Sequence, residues 1–199
     1  MTLEDKTRQC LWTAHQLFER GRATGTTGNI SFREGDWMYI SASGACFGTL
    51  TAEEFCRLRI ADGAVEGERK PSKEWPLHAA LYRANERNQA VLHTHGFYTA
   101  LWSCLEGLDP ANAIPAYTPY LRMKAGAVRR VPYAPPGSRE LFAQMDAACD
   151  ADHSAYLLAH HGGLCAGANL MEAFGLMEEL EESAHTAWCL RGEAGAARL

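Results

Sequence analysis

The sequence predicts an α/β domain, and three observations carry that prediction. Apolar residues recur at helical spacing in the first and last segments, a pair of short strand-like runs follows the first helix, and helix-like and strand-like segments then alternate. The chain has 199 residues, which suits one domain, 1–199, with a full-sized core. Hydrophobic residues make up 47% and charged residues 22% of it, the balance of an ordinary globular protein rather than a disordered one. There is no internal repeat or low-complexity tract.

From Leu3 to Arg20 the positions Leu11, Ala14 and Phe18 recur at three- and four-residue steps and predict a helix that Gly21 ends. GRATGTTGNISF is a glycine- and threonine-rich loop running into a strand. WMYISAS is a second strand, and the EGD turn between them predicts a hairpin. TAEEFCRL starts like a helix, with Thr51 as N-cap and Glu54 as its capping-box partner, and ADGAVEGERK is a polar turn region. The stretch from Glu74 to Arg87 places Leu77, Leu81 and Ala84 on one helical face. Pro76 fits its first turn, where backbone N–H groups lack intrahelical partners. QAVLHTHGF reads as an apolar strand opening into a helix at FYTALWSCLEG. Strands are expected at Ala127 to Pro132 and along AYLLAHHGGLCAG, and a long helix at MEAFGLMEELEESAHTAWCLRG.

A formal net charge of -5 gives no broad basic footprint, so nucleic acid and anionic membranes are poor partners. No signal peptide or membrane-spanning run stands out, which predicts a cytoplasmic protein. Seven cysteines are scattered without CxxC pairs and read as free thiols packed as small hydrophobes. Cys165, near HHG, reads as core.

The chemistry-bearing residues are histidines. In HTH, His93 and His95 sit at i and i+2, which on a strand sends both rings to one face and Thr94 to the other. HHG supplies a third imidazole from a similar setting, an apolar run ending just before glycines. Three nitrogen ligands leave a coordination position open, as a catalytic zinc requires. His160 and His161, read as adjacent strand residues, face opposite sides, and periodicity does not choose between them. His15, His153 and His185 read as structural, as does His78, which could also orient Glu74 or line the pocket.

Five ordered motifs, TGNIS, SASG, PSKE, HTHG and HHG, resemble the class II aldolase and adducin head family across almost the whole chain. The family's sugar-phosphate members include fuculose-phosphate aldolase and ribulose-phosphate 4-epimerase. The resemblance implies a central, mainly antiparallel β-sheet flanked by helices in three α/β/α layers, and a cyclic homotetramer with pockets completed at subunit contacts. It implies a metal, Zn2+ with Mn2+ or Co2+ as alternatives, held by His93, His95 and, from the LLxxHG form of LLAHHG, His161. It implies Glu74 as the catalytic acid. Thr26, Thr27, Gly28 and Asn29 correspond to the phosphate loop, with Ser43, Gly44 and Ser72 completing the pocket. Where many members have two serines before the glutamate, this chain has Ser72-Lys73; Lys73 either adds positive charge beside a phosphate or carboxylate or is solvated.

SGACFGTL, KPSKEWPLHAALYR, SCLEGLD, YTPYLRMKAG and VPYAPPGS are most similar to one branch, the 3-oxo-tetronate 4-phosphate decarboxylases. That implies a small phosphorylated sugar-acid substrate, converted to dihydroxyacetone phosphate and carbon dioxide through a metal-stabilised enediolate. Glu74 is the candidate for the proton transfer. Tyr120, Arg122 and Lys124 are candidate substrate contacts, an exposed strand edge being the other account of YLRMKAG. The competing expectations are retro-aldol cleavage to dihydroxyacetone phosphate and an aldehyde, and a non-catalytic assembly module like the adducin heads.

Overall fold

In the computed structural model, which describes residues 1–199, helix α1 (Leu3–Glu19) starts at a reciprocal capping box between Thr2 and Asp5. Cys10, Thr13, Ala14 and Leu17 form its buried stripe. Strands β1 (Asn29–Glu34) and β2 (Trp37–Ser41) make the expected hairpin. Glu34 pairs with Trp37, so the loop is Gly35-Asp36.

The segment after Thr51 departs from the expected helix. The Glu54 carboxylate does accept the Thr51 N–H at 2.9 Å, but only one 3-10 turn, Ala52–Glu54, follows before strand β3 (Phe55–Arg59). Cys56 and Leu58 are buried while Arg59 is exposed, a period of two that suits a sheet face and overrides the local cap. Strand β4 (Val65–Glu66) extends that edge.

Helix α2 (Trp75–Ala84) has Glu74 at its N-cap and Pro76 in its first turn, and stops before Asn85 rather than at Arg87. Strand β5 (Ala90–Thr94) leads directly into helix α3 (Phe97–Ser103). YLRMKAG is not a strand edge: it lies in helix α4 (Pro119–Ala125), opened by Pro119 and stopped by Gly126 at φ 70°. Strand β6 (Arg129–Val131) is followed by helix α5 (Arg139–Ala148), capped by the Ser138 hydroxyl. The single strand expected along AYLLAHHGGLCAG is two, β7 (Ala155–Leu158) and β8 (Gly162–Gly167), folded into a hairpin. The fold-back lies at Ala159-His160-His161, where His160 takes φ 53°, the left-handed residue that a three-residue hairpin loop uses. Helix α6 (Leu170–Cys189) starts at the Asn169 cap.

The strands form one eight-stranded sheet in the order β4-β3-β2-β1-β5-β8-β7-β6. Every pairing is antiparallel except β6 with β7. Residues of α1, α3, α4 and α6 pack with Ile30, Phe32 and Leu92 on one face, and those of α2 and α5 with Val91 and Leu164 on the other. This is the expected three-layer α/β/α arrangement. All seven cysteines are free thiols, and Cys165 belongs to the core under α6. No helix is long and apolar enough to cross a membrane.

The strand character of β3 is testable by alternation. Leu58→Ala is expected to cost about 2–5 kcal/mol of unfolding free energy. Arg59→Ala, which loses only a surface pair with Asp62, should cost no more than about 1 kcal/mol; denaturant melts of the two variants check this.

Candidate metal centre

Strand registers assemble the centre. β1 lies antiparallel on β5 with Asn29 opposite His93, and β5 lies on β8 with Thr94 opposite Gly163. Alternation sends Ser31, His93 and Asn29 toward α2, while Thr94 turns away and its hydroxyl donates to the Met177 sulfur at 3.1 Å. His95 lies just past the strand end, yet its ring stays beside that of His93 with centroids 4.8 Å apart. His161 arrives from the β7–β8 turn and is buried, whereas His160 is exposed and packs edge-on to Tyr133. Turn geometry, not strand alternation, separates the two.

Three Nε2 atoms converge: His93 to His95 at 3.0 Å and His93 to His161 at 3.2 Å. The Glu74 carboxylate lies 3.4 Å from Nε2 of both His93 and His161. Burial, with repulsion from neighbouring imidazoles, holds His93 well below the usual histidine range and His95 at about 4; burial and the Lys73 charge hold His161 at about 4. All three rings are therefore neutral at pH 7. His93 Nδ1–H donates to the Gly163 carbonyl at 2.9 Å, which leaves its Nε2 a bare acceptor. One lone pair facing two other Nε2 atoms cannot satisfy both. Glu74 Oε1 is also buried without a hydrogen-bond partner. A cation among these four residues, whose ligand atoms lie within 4.8 Å of one another, would answer all of these atoms at once. The donor set fits a divalent metal.

Glu74 has its own support. Its Oε2 accepts from Asn29 Nδ2 at 3.2 Å, and the Asn29 carbonyl oxygen takes a hydrogen bond from Nε2 of His78. Nδ1 of His78 accepts from Ser31, whose oxygen meets the Tyr82 hydroxyl at 2.7 Å. His78 is fully buried, which pushes it down to about 3 and keeps it neutral. With its proton on Nε2, only the Asn29 amide NH2 is left to face Glu74.

A cleft of about 200 Å³ opens beside the histidines. Thr26, Thr27, Gly28, Asn29, Ser43, Gly44, Ser72, Lys73, Glu74, His95 and His161 all line it, with Ala42 and Pro136. Gly28 has φ 89°, and a Cβ there would meet the His93 carbonyl oxygen at 2.8 Å, so only glycine lets the loop lie this close to β5. Tyr120, Arg122 and Lys124 are elsewhere. They are exposed on α4, and Lys124 donates to the Gly175 carbonyl while lining a separate cleft with Arg87 and Glu172.

The model of the Class II Aldolase and Adducin N-terminal domain family matches residues 8–188. This chain belongs to that family. It is 44% identical over 172 residues to the 3-oxo-tetronate 4-phosphate decarboxylase of Escherichia coli K12, covering 86% of this chain and 80% of the relative. It is 31% identical over 170 residues to the L-fuculose phosphate aldolase of Methanococcus maripaludis strain C7, covering 85% and 89%. The crystal structure of YgbL from Klebsiella pneumoniae superposes with a TM-score of 0.94 at 36% identity, covering 100% of this chain and 95% of that one.

One support of this class II aldolase centre is invisible to motif reading. Glu181 of α6 is 2% exposed, and its carboxylate accepts the N–H groups of Tyr98 at 2.7 Å and Thr99 at 2.8 Å. It thereby caps α3 from outside the helix, immediately after His95. A Cβ on Gly96 would lie 2.5 Å from its Oε2, which explains the glycine of HTHG. At the other end of α3, the Ser103 carbonyl and hydroxyl accept the N–H groups of His160 and His161 at 3.1 Å each. The seven-residue α3 thus braces both His95 and the His161 turn. The only sequence signal for Glu181 was a carboxylate among the apolar positions of α6, which reads as surface.

Glu181→Gln replaces one acceptor oxygen with an NH2 that opposes a backbone N–H. Divalent-metal affinity, measured by competition with a chromogenic chelator, should fall about 10- to 100-fold in the folded variant, as for other groups that orient metal ligands.

Proposed function

We propose that the chain is a lyase of the cytoplasm, acting as one class II aldolase-like domain over residues 1–199, that decarboxylates 3-oxo-tetronate 4-phosphate to dihydroxyacetone phosphate and carbon dioxide. The observation that carries this is a single cleft joining three neutral histidines and a buried glutamate to a glycine- and threonine-rich loop, in a chain 44% identical to a decarboxylase of that substrate. His93, His95 and His161 would hold the metal through Nε2, and zinc is the ion that three neutral imidazoles with an open position suit best, with Mn2+ or Co2+ as substitutes. When bound, it supplies Lewis-acid charge that lowers the energy of negative charge developing on the substrate's ketone oxygen.

The protein's own groups do the rest. Thr26, Thr27, Gly28, Ser43 and Gly44 offer hydroxyls and small backbone units to a phosphate dianion, and Ser72 stands where the N-terminus of α2 meets the cleft. Departure of carbon dioxide leaves an electron pair on the carbon that carried the carboxylate, and Glu74 delivers a proton to that carbon. Burial raises the Glu74 pKa, opposed by the Asn29 hydrogen bond and the Lys73 charge, and Glu74 lines the cleft beside the imidazoles, placed for general-acid work. The buried floor around Glu74, His93 and Asn29 keeps water from competing for that position.

Retro-aldol cleavage to dihydroxyacetone phosphate and an aldehyde is the second reading, favoured by the 31% identity to an L-fuculose phosphate aldolase. The first reading requires that purified protein with zinc release carbon dioxide from 3-oxo-tetronate 4-phosphate; aldehyde release from a sugar phosphate with no carbon dioxide would replace it with the second. Glu74→Gln should keep the metal and lose turnover by about 100-fold or more, whereas His95→Ala should lose metal and turnover together. We also propose a homotetramer, as the family resemblance implies. Light scattering should give four times the chain mass, and a monomeric mass would remove that reading.

A further inference from the structure

Lys73 is the only lysine or arginine lining the cleft. The other groups there are neutral hydroxyls, amides and imidazoles, together with the Glu74 carboxyl. A 3-oxo sugar-acid phosphate brings two anionic groups, so its binding leaves one anion without a cationic side chain. Lys73 is exposed at the mouth of the cleft, and its stem lies along Gly137, where an added Cβ would come within 2.8 Å of its Cδ. Ser72 and Glu74 on either side are buried, which fixes the backbone from which the stem departs. Lys73 lines the same cleft as Glu74, His95 and His161 and directly precedes Glu74 in the chain.

We propose that Lys73 is the specificity-determining residue that recognises the substrate carboxylate, the group lost as carbon dioxide, while the neutral loop at Thr26 to Asn29 takes the phosphate. This rests on the decarboxylase reading for its substrate class. The carboxylate exists in the ground state and is neutralised as the bond breaks, so a cation on it favours binding rather than the chemical step. Removing the charge therefore acts on KM and not on kcat.

A matched ligand pair tests this apart from turnover. 4-Phosphoerythronate and erythritol 4-phosphate differ at one end only, carboxylate against alcohol. By calorimetric titration, the zinc-loaded wild-type protein should bind the carboxylate about 10-fold more tightly, the lower range for a charged hydrogen bond. Lys73→Met, which keeps the stem on Gly137, and Lys73→Ser should both abolish that preference without changing affinity for erythritol 4-phosphate or metal content. In turnover, KM for 3-oxo-tetronate 4-phosphate should rise about 10-fold with kcat not reduced. A preference retained in both variants would overturn the proposal, as would equal weakening of both ligands, which would assign Lys73 to the phosphate. A wild-type protein that shows the preference but releases no carbon dioxide would sink the decarboxylase reading and leave Lys73 as the carboxylate contact.

Discussion

The register of β1 on β5, with Asn29 opposite His93, is the constraint on which the rest of the site depends. Side chains alternate faces along a strand, so a slip of one residue would turn His93 toward α1 and α6, into the layer where Leu92 now packs. A slip of β1 instead would take Asn29 from between Glu74 and His78. Two hydrophobic cores, one on each face of the sheet, hold that register in place. Core packing and site chemistry are here one requirement, because β5 carries both Val91 and His93 on its α2 face.

The electrostatic design follows from burial. Burying His93 and His161 and half-burying His95 beside them disfavours their charged forms and leaves lone pairs poorly solvated. The centre is therefore short of positive charge by construction. The side chains behind Glu74 are neutral too: His78 is held deprotonated by burial, and Asn29 presents its amide to Glu74 because His78 occupies the other end. Fixed dipoles orient Glu74, and a mobile ion can then supply the field.

Much of this was legible in the chain. HTH spacing on an apolar run placed two imidazoles on one side, and the alternating hairpin, the α2 face and the first and last helices follow patterns that local physics sets. Other features depend on distant partners. Thr51 and Glu54 do form the local cap, but the alternation of Cys56 and Leu58 makes the next residues a strand once β2 is there to pair with them. AYLLAHHGGLCAG reads as one strand until His160 adopts a left-handed conformation, which few residues other than glycine and asparagine signal. Tyr120, Arg122 and Lys124 were chosen for their chemistry alone, and α4 sets them away from the cleft. Glu181 carried no motif, since its partners Tyr98 and Thr99 are backbone groups far away in sequence.

That last contact has a temporal side. Chains emerge from the ribosome N-terminus first, and α6 comes after every other element of the fold. Both imidazoles of HTHG are therefore made well before the carboxylate that holds their turn. A nascent chain has ligands but no braced cage, and docking of the final helix completes both the hydrophobic layer over β5 and β8 and the frame around His95.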